Sequence, residues 1–529
     1  PFYSQDTPEG GFNQASIYRE ETNIDGLLTA QRSLSDKLSL SMTGGGNWRR
    51  NTGDTKSAGT RRLKVPDIYN VGNSVAPPVL LFEESKKEVH SLYGTASLAY
   101  NDYLFLDLTA RNDWSSTLPQ DNNSYFYPSV STSVVLTDLF QGLPQALSYA
   151  KLRVSWARVG NDADPYQLAA VYNEATPFNG VPGFTADDQI PNRNLRPEQT
   201  DSWEVGTDLR FAEDRASLDL TYYNSHTKDQ ILGVTVSDAS GYGSQILNAG
   251  EIKNSGFEVL LNTTVLRQQG GRPGWDITTN FSRNSSEVVS LYPGLEALQL
   301  VGQDGMVTCC GITVEARPGQ KYGALVGTVW ATDEQGRVKL SSQGIPLVAD
   351  DRAVLGYFQP DWMAGIRNTI RYAGVDITFQ IDHRQGGQIV CGTCQLGRRT
   401  GILAETADYG RETGIVVDGV LPDGSQNNVS ITARSYAQAL NRNLASDTYD
   451  ATWTKLREVT IGFGLPQGFL DKLRMSSGRA SVVGRNLWLW TDVPHIDPET
   501  ARSNSNYQGV EFEQFPTPRS VGFNISLRR

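Results

Sequence analysis

Val375-Asp376-Ile377-Thr378-Phe379-Gln380-Ile381-Asp382 alternates apolar and polar residues without a break. In an extended chain a period of two sends Val375, Ile377, Phe379 and Ile381 to one face and the polar four to the other. The chain ends in the same way: Val521, Phe523, Ile525 and Leu527 alternate with Gly522, Asn524, Ser526 and Arg528. Ala216-Ser-Leu-Asp-Leu-Thr-Tyr222 and Leu152-Arg-Val-Ser-Trp156 repeat the pattern. One face is apolar and the other often charged, as in half-buried strands.

Followed along the chain, this periodicity predicts about fifteen strands. They lie near 15–32, 37–49, 88–100, 103–114, 125–137, 147–159, 200–211, 215–228, 251–265, 275–288, 362–371, 374–387, 451–463, 479–490 and 519–528. Most reach the roughly 9–11 residues that cross a bilayer at a tilt. Strands of soluble sheets usually have about 5–6. The connections alternate in length. Short ones are Ser35-Asp36, Asn101-Asp102, Glu213-Asp214 and Ala373, with moderate ones at 138–146 and 464–478. Between them fall long loops at 50–87, 160–199, 229–250, 289–361, 388–450 and 491–518. Short turns at one end and long loops at the other are the signature of an outer-membrane barrel. The predicted fold class is all-β: a transmembrane antiparallel β-barrel whose wall and outer loops occupy residues 1–529.

Direction follows if the last strand runs towards the periplasm. Trp48, Trp114, Trp156, Trp203, Trp362, Trp453, Trp488 and Trp490 then fall at outer strand ends, Trp275 at an inner end and Trp330 in a loop. This is the placement of an interfacial aromatic girdle. Cross-strand aromatic packing produces the same pattern, and some rings are free to point into the lumen.

Composition agrees. The hydrophobic share is 38 % and mean hydropathy is −0.39. No run approaches the roughly 18–20 apolar residues of a spanning helix, which excludes a helical membrane protein. It does not exclude a barrel, in which alternate residues face lipid. Gly (51), Tyr (22) and Trp (10) are plentiful, and Cys, Met and His number 4 each. A net charge of −11 argues against a nucleic-acid partner.

The cysteines come as Cys309-Cys310 and Cys391-x-x-Cys394. Disulfides of an oxidising compartment are the main reading. A thiolate zinc site is the alternative, although adjacent cysteines chelate poorly. The pairing is not readable from sequence. No catalytic constellation and no cofactor motif is found. His90, His226, His383 and His495 are scattered, and Asp333-Glu334 and Asp350-Asp351 read as solvated loop acids, with calcium a minor alternative. Gly44-Gly45-Gly46 lacks the Lys of a phosphate loop. The charged residues on the polar strand faces are more informative. Asp208, Arg210, Asp219, Asp376, Asp382 and Arg384 would line a wet interior, pairing with one another or touching substrate. Tyr322, Trp330, Tyr357 and Phe358 would either hold the 289–361 loop together or stack on cargo.

The chain opens at Pro1 without Met or a signal peptide, and fifteen is odd where bacterial single-chain barrels are even. The first strand also runs inward, which leaves Pro1 outside. These readings together suggest a barrel fragment.

Several segments carry a resemblance. They are Leu152-Arg-Val-Ser-Trp-Ala-Arg-Val-Gly-Asn161, Asn194-Leu-Arg-Pro-Glu-Gln-Thr-Asp-Ser-Trp-Glu-Val-Gly206, Asp219-Leu-Thr-Tyr-Tyr-Asn-Ser225 and Asn248-Ala-Gly-Glu-Ile-Lys-Asn-Ser-Gly-Phe-Glu258. Pro360-Asp-Trp-Met-Ala-Gly365, Asp382-His-Arg-Gln-Gly-Gly387, Lys455-Leu-Arg-Glu-Val-Thr460, Gly484-Arg-Asn-Leu-Trp488, Ile496-Asp-Pro-Glu499 and Pro518-Arg-Ser520 follow in order. Together the chain resembles the SusC/RagA family of TonB-dependent transporters from the outer membrane of Bacteroidetes-type Gram-negative bacteria. The resemblance implies a 22-stranded barrel with an amino-terminal plug. About seven strands, the plug and the TonB-contacting segment would then be absent from this chain. It implies import of an oligosaccharide or peptide, energised by TonB, under a SusD-like surface lipoprotein, with outer-membrane lipid around the wall. Two alternatives remain. One is a barrel that docks other envelope components without transport of its own. The other is a secreted multi-domain β protein, which would stay monodisperse without detergent. The ending Leu527-Arg528-Arg529 departs from the aromatic ending usual in the family. Around Lys455-Leu-Arg-Glu458 the alternation slips, which predicts a β-bulge.

Overall fold

The computed structural model describes residues 10–60, 62–178, 181–269, 271–301, 311–503 and 505–529. Its principal element is a fifteen-stranded sheet. The strands are β1 (Phe12–Ser35), β2 (Leu38–Thr60), β3 (Val79–Tyr100), β4 (Leu104–Ser115), β5 (Ser124–Val135), β6 (Leu147–Asn161), β7 (Glu198–Phe211) and β8 (Ala216–Lys228). They continue as β9 (Gly250–Leu266), β10 (Gly274–Leu291), β11 (Trp362–Tyr372), β12 (Val375–Gln385), β13 (Trp453–Gly464), β14 (Ser477–Thr491) and β15 (Ser520–Arg528). Each strand lies beside the next in sequence, so the sheet is an up-and-down meander. The fifteen expected strands are all present, with ends shifted by a few residues in most cases.

The short turns carry the backbone conformations that tight hairpins need. Asn101 and Asp102 between β3 and β4 have φ of 49° and 56°, and Ala373 and Gly374 between β11 and β12 have 51° and 82°.

The expected loop 50–87 is corrected. β2 continues to Thr60 and β3 begins at Val79, and the two pair without interruption from Leu38–Tyr100 to Gly59–Val79. The extension, Asn51-Thr-Gly-Asp-Thr-Lys-Ser-Ala-Gly-Thr60, is polar on both faces. The β3 end opposite it opens on Val79-Leu-Leu-Phe82, apolar on both faces, so neither strand of this ladder shows the period of two that announces a half-buried strand.

The chain divides into two compact units. The first holds the residues up to Thr132 together with Ser155–Asp201 and Thr227–Ala249. One face of its sheet carries Leu28, Met42, Leu92 and Leu108, all exposed apolar residues. The other carries Thr29, Thr43, Thr95 and Thr109, and Thr29 and Thr43 share a hydrogen bond of 2.9 Å. Outside the strands, Ile231–Thr235, Ser244–Asn248 and Gln189–Ile190 form a small sheet. Leu118, Tyr125, Ala163, Leu195 and Ile246 make a local core.

The second unit holds Ser133–Val154, Ser202–His226 and Gly250–Arg529. Its apolar face carries Leu220, Ile366, Ile370, Ile377 and Ile461, again exposed. Exposed apolar side chains on one face and charges on the other are the inverse of a soluble sandwich and the arrangement of a membrane wall. Trp203, Trp488 and Trp490 are exposed in this unit, and Trp114 and Trp156 in the first, as a girdle requires. Trp453 is the exception. It is 6 % exposed and in register with Arg384 on the polar face.

The long connections of the second unit are folded. Leu298–Val301, Thr313–Ala316, Ala324–Gly327 and Ala353–Tyr357 form a four-stranded sheet. Gln388–Cys391 pairs with Thr448–Asp450 and with Val510–Glu511. Ile312, Val314, Leu325, Phe358, Val390, Leu444 and Val510 then share one core. These residues come from three separate long connections, so the loops form a single packed module.

The two faces can be tested by substitution. Ile366→Arg, at mid-strand on the apolar face, should cost about 2–4 kcal/mol, whereas Thr369→Arg on the polar face should cost less than about 1 kcal/mol. Urea unfolding of the full-length gene product in lipid vesicles measures both. Equal losses would reverse the face assignment.

Candidate functional site

The polar face of the second unit holds a concave pocket of about 690 Å³. It is bordered by residues of six consecutive strands, β8–β13, and by Arg153 and Glu499. Each strand contributes alternate residues. Asp219 and Thr221 come from β8, Glu258 and Leu260 from β9, Asn280 and Ser282 from β10, Met363 and Gly365 from β11, and Gln380 and Asp382 from β12.

At β13 the alternation slips as the sequence predicted. The register with β14 jumps between Leu456 and Glu458, and that with β12 jumps opposite Gln380 and Ile381. One extra residue in a ladder lets two successive side chains share a face. Arg457 thus joins Trp453, Lys455 and Glu458 on the polar side. On β14 the bulge is matched by Asn486, whose φ is 51°, and its side chain accepts from Arg457 at 3.3 Å.

This bulge builds an ion cluster. Lys455 is 2 % exposed and donates to Asp497 at 2.7 Å and to Glu499 at 2.5 Å. Arg457 forks across Glu499 at 2.8 and 2.9 Å and reaches Asp382 at 2.8 Å. Both cations lie over the Trp453 ring, at 5.2 and 5.4 Å from its centre. Burial alone pushes the Glu499 carboxyl up, but hydrogen bonds and charge from Arg457 and Lys455 outweigh it and hold it at about 2. Lys455-Leu-Arg-Glu458 and Ile496-Asp-Pro-Glu499, far apart in sequence, are the two halves of one lock.

The charged residues singled out from sequence divide between several places. Asp219 pairs with Arg153 at 2.6 Å and borders the pocket. Asp382 borders it too and also accepts from Gln380 at 3.0 Å. Asp376 pairs with Arg479, away from the pocket. Asp208 and Arg210 are 3.9 Å apart, and Arg210 lies over Tyr149. Arg384 donates to the Phe358 carbonyl at 2.6 Å and so ties β12 to the loop module.

The four loop aromatics sit within that module. Phe358 is 2 % exposed, and Tyr322 meets it edge-on and donates to Asn506 at 2.9 Å. Trp330 donates to the Ala439 carbonyl at 3.3 Å, and Tyr357 to Gln320 at 3.2 Å. Sequence reading missed Arg153, Glu258 and Asn280. Nothing in a single strand marks one inner-face residue above its neighbours.

Cys391 and Cys394 form a disulfide at the start of a helix, Gly392–Thr400. Cys309 and Cys310 lie outside the described residues. The buried Glu511 carboxylate accepts from Thr393 N at 3.1 Å and Thr393 Oγ1 at 2.6 Å, at the positive end of that helix. Arg398, in its last turn, reaches Asp447 at 2.6 Å and Glu405 at 2.8 Å. Burial pushes the Asp447 carboxyl up to about 6 against the pull of Arg398.

Two measurements test the lock. Lys455→Met leaves Asp497 and Glu499 short of a partner and should loosen the 491–519 segment by on the order of 3 kcal/mol, read as faster tryptic cleavage after Arg502. A carboxylate held low in the folded chain stabilises it above its ordinary value of 4.5, and that support is lost as pH falls towards about 2. Peptic cleavage of the segment should therefore accelerate across that window, and Glu499→Gln should flatten the dependence.

The family model described as "TonB dependent receptor-like, beta-barrel" matches residues 2–388. TonB-dependent receptor P26 of Formosa agariphila is 28 % identical over 85 % of this chain and 47 % of its own length. TonB-dependent receptor SusC of Bacteroides thetaiotaomicron is 28 % identical over 81 % of this chain and 42 % of its own length. Among solved structures, the RagAB peptide transporter superposes with a TM-score of 0.75 at 16 % identity, over 98 % of this chain and 56 % of the other. The chain spans about half the length of the curated relatives it matches. With the family model covering well over half of the residues, and with a meander of long strands apolar on one face, the chain belongs to the TonB dependent receptor-like β-barrel family.

Proposed function

We propose that this chain supplies wall strands and outer loops of a nutrient importer, energised through TonB, whose cargo is an oligosaccharide or a peptide. The observation that carries the reading is the pocket on the polar face of a wall whose other face is apolar. A purely mechanical barrel needs paired charges inside, but it does not need a 690 Å³ recess with polar side chains from five of the six strands that border it. The relatives support the class: SusC is a TonB-dependent receptor, and RagAB is a peptide transporter. A plug and TonB-contacting segment elsewhere in the gene product would couple the barrel to TonB. A SusD-like lipoprotein would close it from outside, over the packed loop module. Residues 1–529 serve as one barrel portion throughout.

The test is genetic. Deleting the gene in its host should abolish growth on one peptide or glycan source, and depleting TonB should reproduce the loss. If growth on every source survives deletion while other envelope proteins lose their surface location, the barrel is a docking component instead.

A further inference from the structure

We propose that the pocket on the polar face of the second unit is a subsite for a cationic amino group of the cargo, the α-amino terminus or a lysine side chain of a peptide. The inference rests on the import reading and selects one of its two cargo classes.

The charges bordering the pocket are the first ground. Arg153 and Asp219 satisfy each other, and Arg457 spans Asp382 and Glu499. Glu258 also borders the pocket, is exposed, and has no ion pair or hydrogen bond among the described residues. Four carboxylates stand against two guanidiniums, which leaves the wall net negative. An unspent carboxylate among paired charges attracts a cation.

The second ground is shape. A Cβ placed on Gly365 would lie 2.5 Å from Asn280 Oδ1 and 3.1 Å from Asp382 Oδ1. Two oxygens therefore converge over bare backbone, where any side chain would displace them. Glu258 stands one diagonal step away, opposite Ser282 on the strand that carries Asn280. An ammonium has three N–H donors and no acceptor, which suits the Asn280 oxygen and the second lone pair of Asp382 Oδ1, whose first accepts from Gln380, with the Glu258 carboxylate beside them. A divalent metal fits worse, since it wants six or more oxygens. Among the described residues no three acids, histidines or cysteines converge as metal ligands.

The third ground separates peptide from glycan. Trp453 is the aromatic that faces the pocket, since Phe281 and His383 are in register with Ala364 on the opposite face. Its ring is covered by Lys455 and Arg457 and is 6 % exposed, so it offers no platform to a sugar. Its indole N–H has no acceptor among the described residues. A buried donor without a partner is costly, and a small turn of the indole at the pocket's border would let it donate to the carbonyl beside a peptide amine, an acceptor of the right kind.

The test uses the full-length protein, purified in detergent and immobilised. The probes are a tryptic digest of casein, the same digest acetylated on its amines, and a pool of maltooligosaccharides. The wild type should retain the untreated digest. Acetylation should cut retention about tenfold or more, the loss of one charge-assisted hydrogen bond. Glu258→Gln should lower retention of the untreated digest to a similar degree and leave that of the acetylated digest unchanged. Gly365→Ala, which fills the cradle, should reproduce the loss, with folding checked by heat-modifiable migration on a gel. Equal retention of both digests, wild-type retention by Glu258→Gln, or retention of maltooligosaccharides in place of peptides would each overturn the subsite. TonB-dependent uptake that ignores acetylation removes the subsite and keeps the import reading. Acetylation-sensitive binding with uptake independent of TonB keeps the subsite and removes that reading.

Discussion

A strand crossing hydrocarbon has no water to accept its N–H groups, so every one must be met by a neighbouring strand. That single demand organises this chain. It explains why fifteen strands run as a meander in which each lies beside its successor. It explains why the short connections are tight turns with left-handed residues such as Asn101, Asp102 and Ala373. With the backbone fixed in this way, the side chains have only two directions to go. One meets lipid and the other meets water or protein.

Against so regular a ladder, an irregularity stands out as a device. The extra residue at Arg457 turns two successive side chains to the polar face. It brings Arg457 alongside Lys455, so that Arg457 reaches Asp382 on the neighbouring strand and Glu499 on the returning loop while Lys455 holds Asp497 and Glu499. A Lys that is 2 % exposed would be costly to bury alone. Here two carboxylates and an indole face compensate it. The bulge, the ion cluster and the position of the last long loop are therefore one structural decision, and neither half of the lock works without the other.

Much of this was legible in the sequence, for a definite reason. A wall strand announces itself when lipid lies on one side and water on the other, as in Val375–Asp382, because the period of two is then written in residue type. Where both faces carry the same kind of residue the signal disappears: β2 beyond Asn51 is almost wholly polar and β3 opens on Val79-Leu-Leu-Phe82, so the two ends read as loop. The bulge was legible as a slip in alternation. The lock was not, because Asp497 and Glu499 lie more than 40 residues beyond Lys455 in sequence. The loop module was illegible for the same reason. Val314, Val390 and Val510 look like isolated valines until three loops bring them into one core. A strand end gives a Trp its height in the membrane but not its facing, so sequence alone groups Trp453 with rings that point the opposite way.

The pocket follows a different logic from the lock. Interior charges on a barrel wall are mostly structural: Asp376 with Arg479, Asp276 with Arg371 and Asp219 with Arg153 each neutralise a partner across the sheet. A fully paired wall carries little information for a solute, because each charge is already answered. Specificity has to come from the groups left over. In the pocket those are Glu258, the Asn280 amide oxygen above Gly365, and the N–H of Trp453. They lie on three different strands, which the ladder holds at fixed spacing. The rigidity that the membrane imposes on the backbone is thus what lets three unspent groups act together as one site.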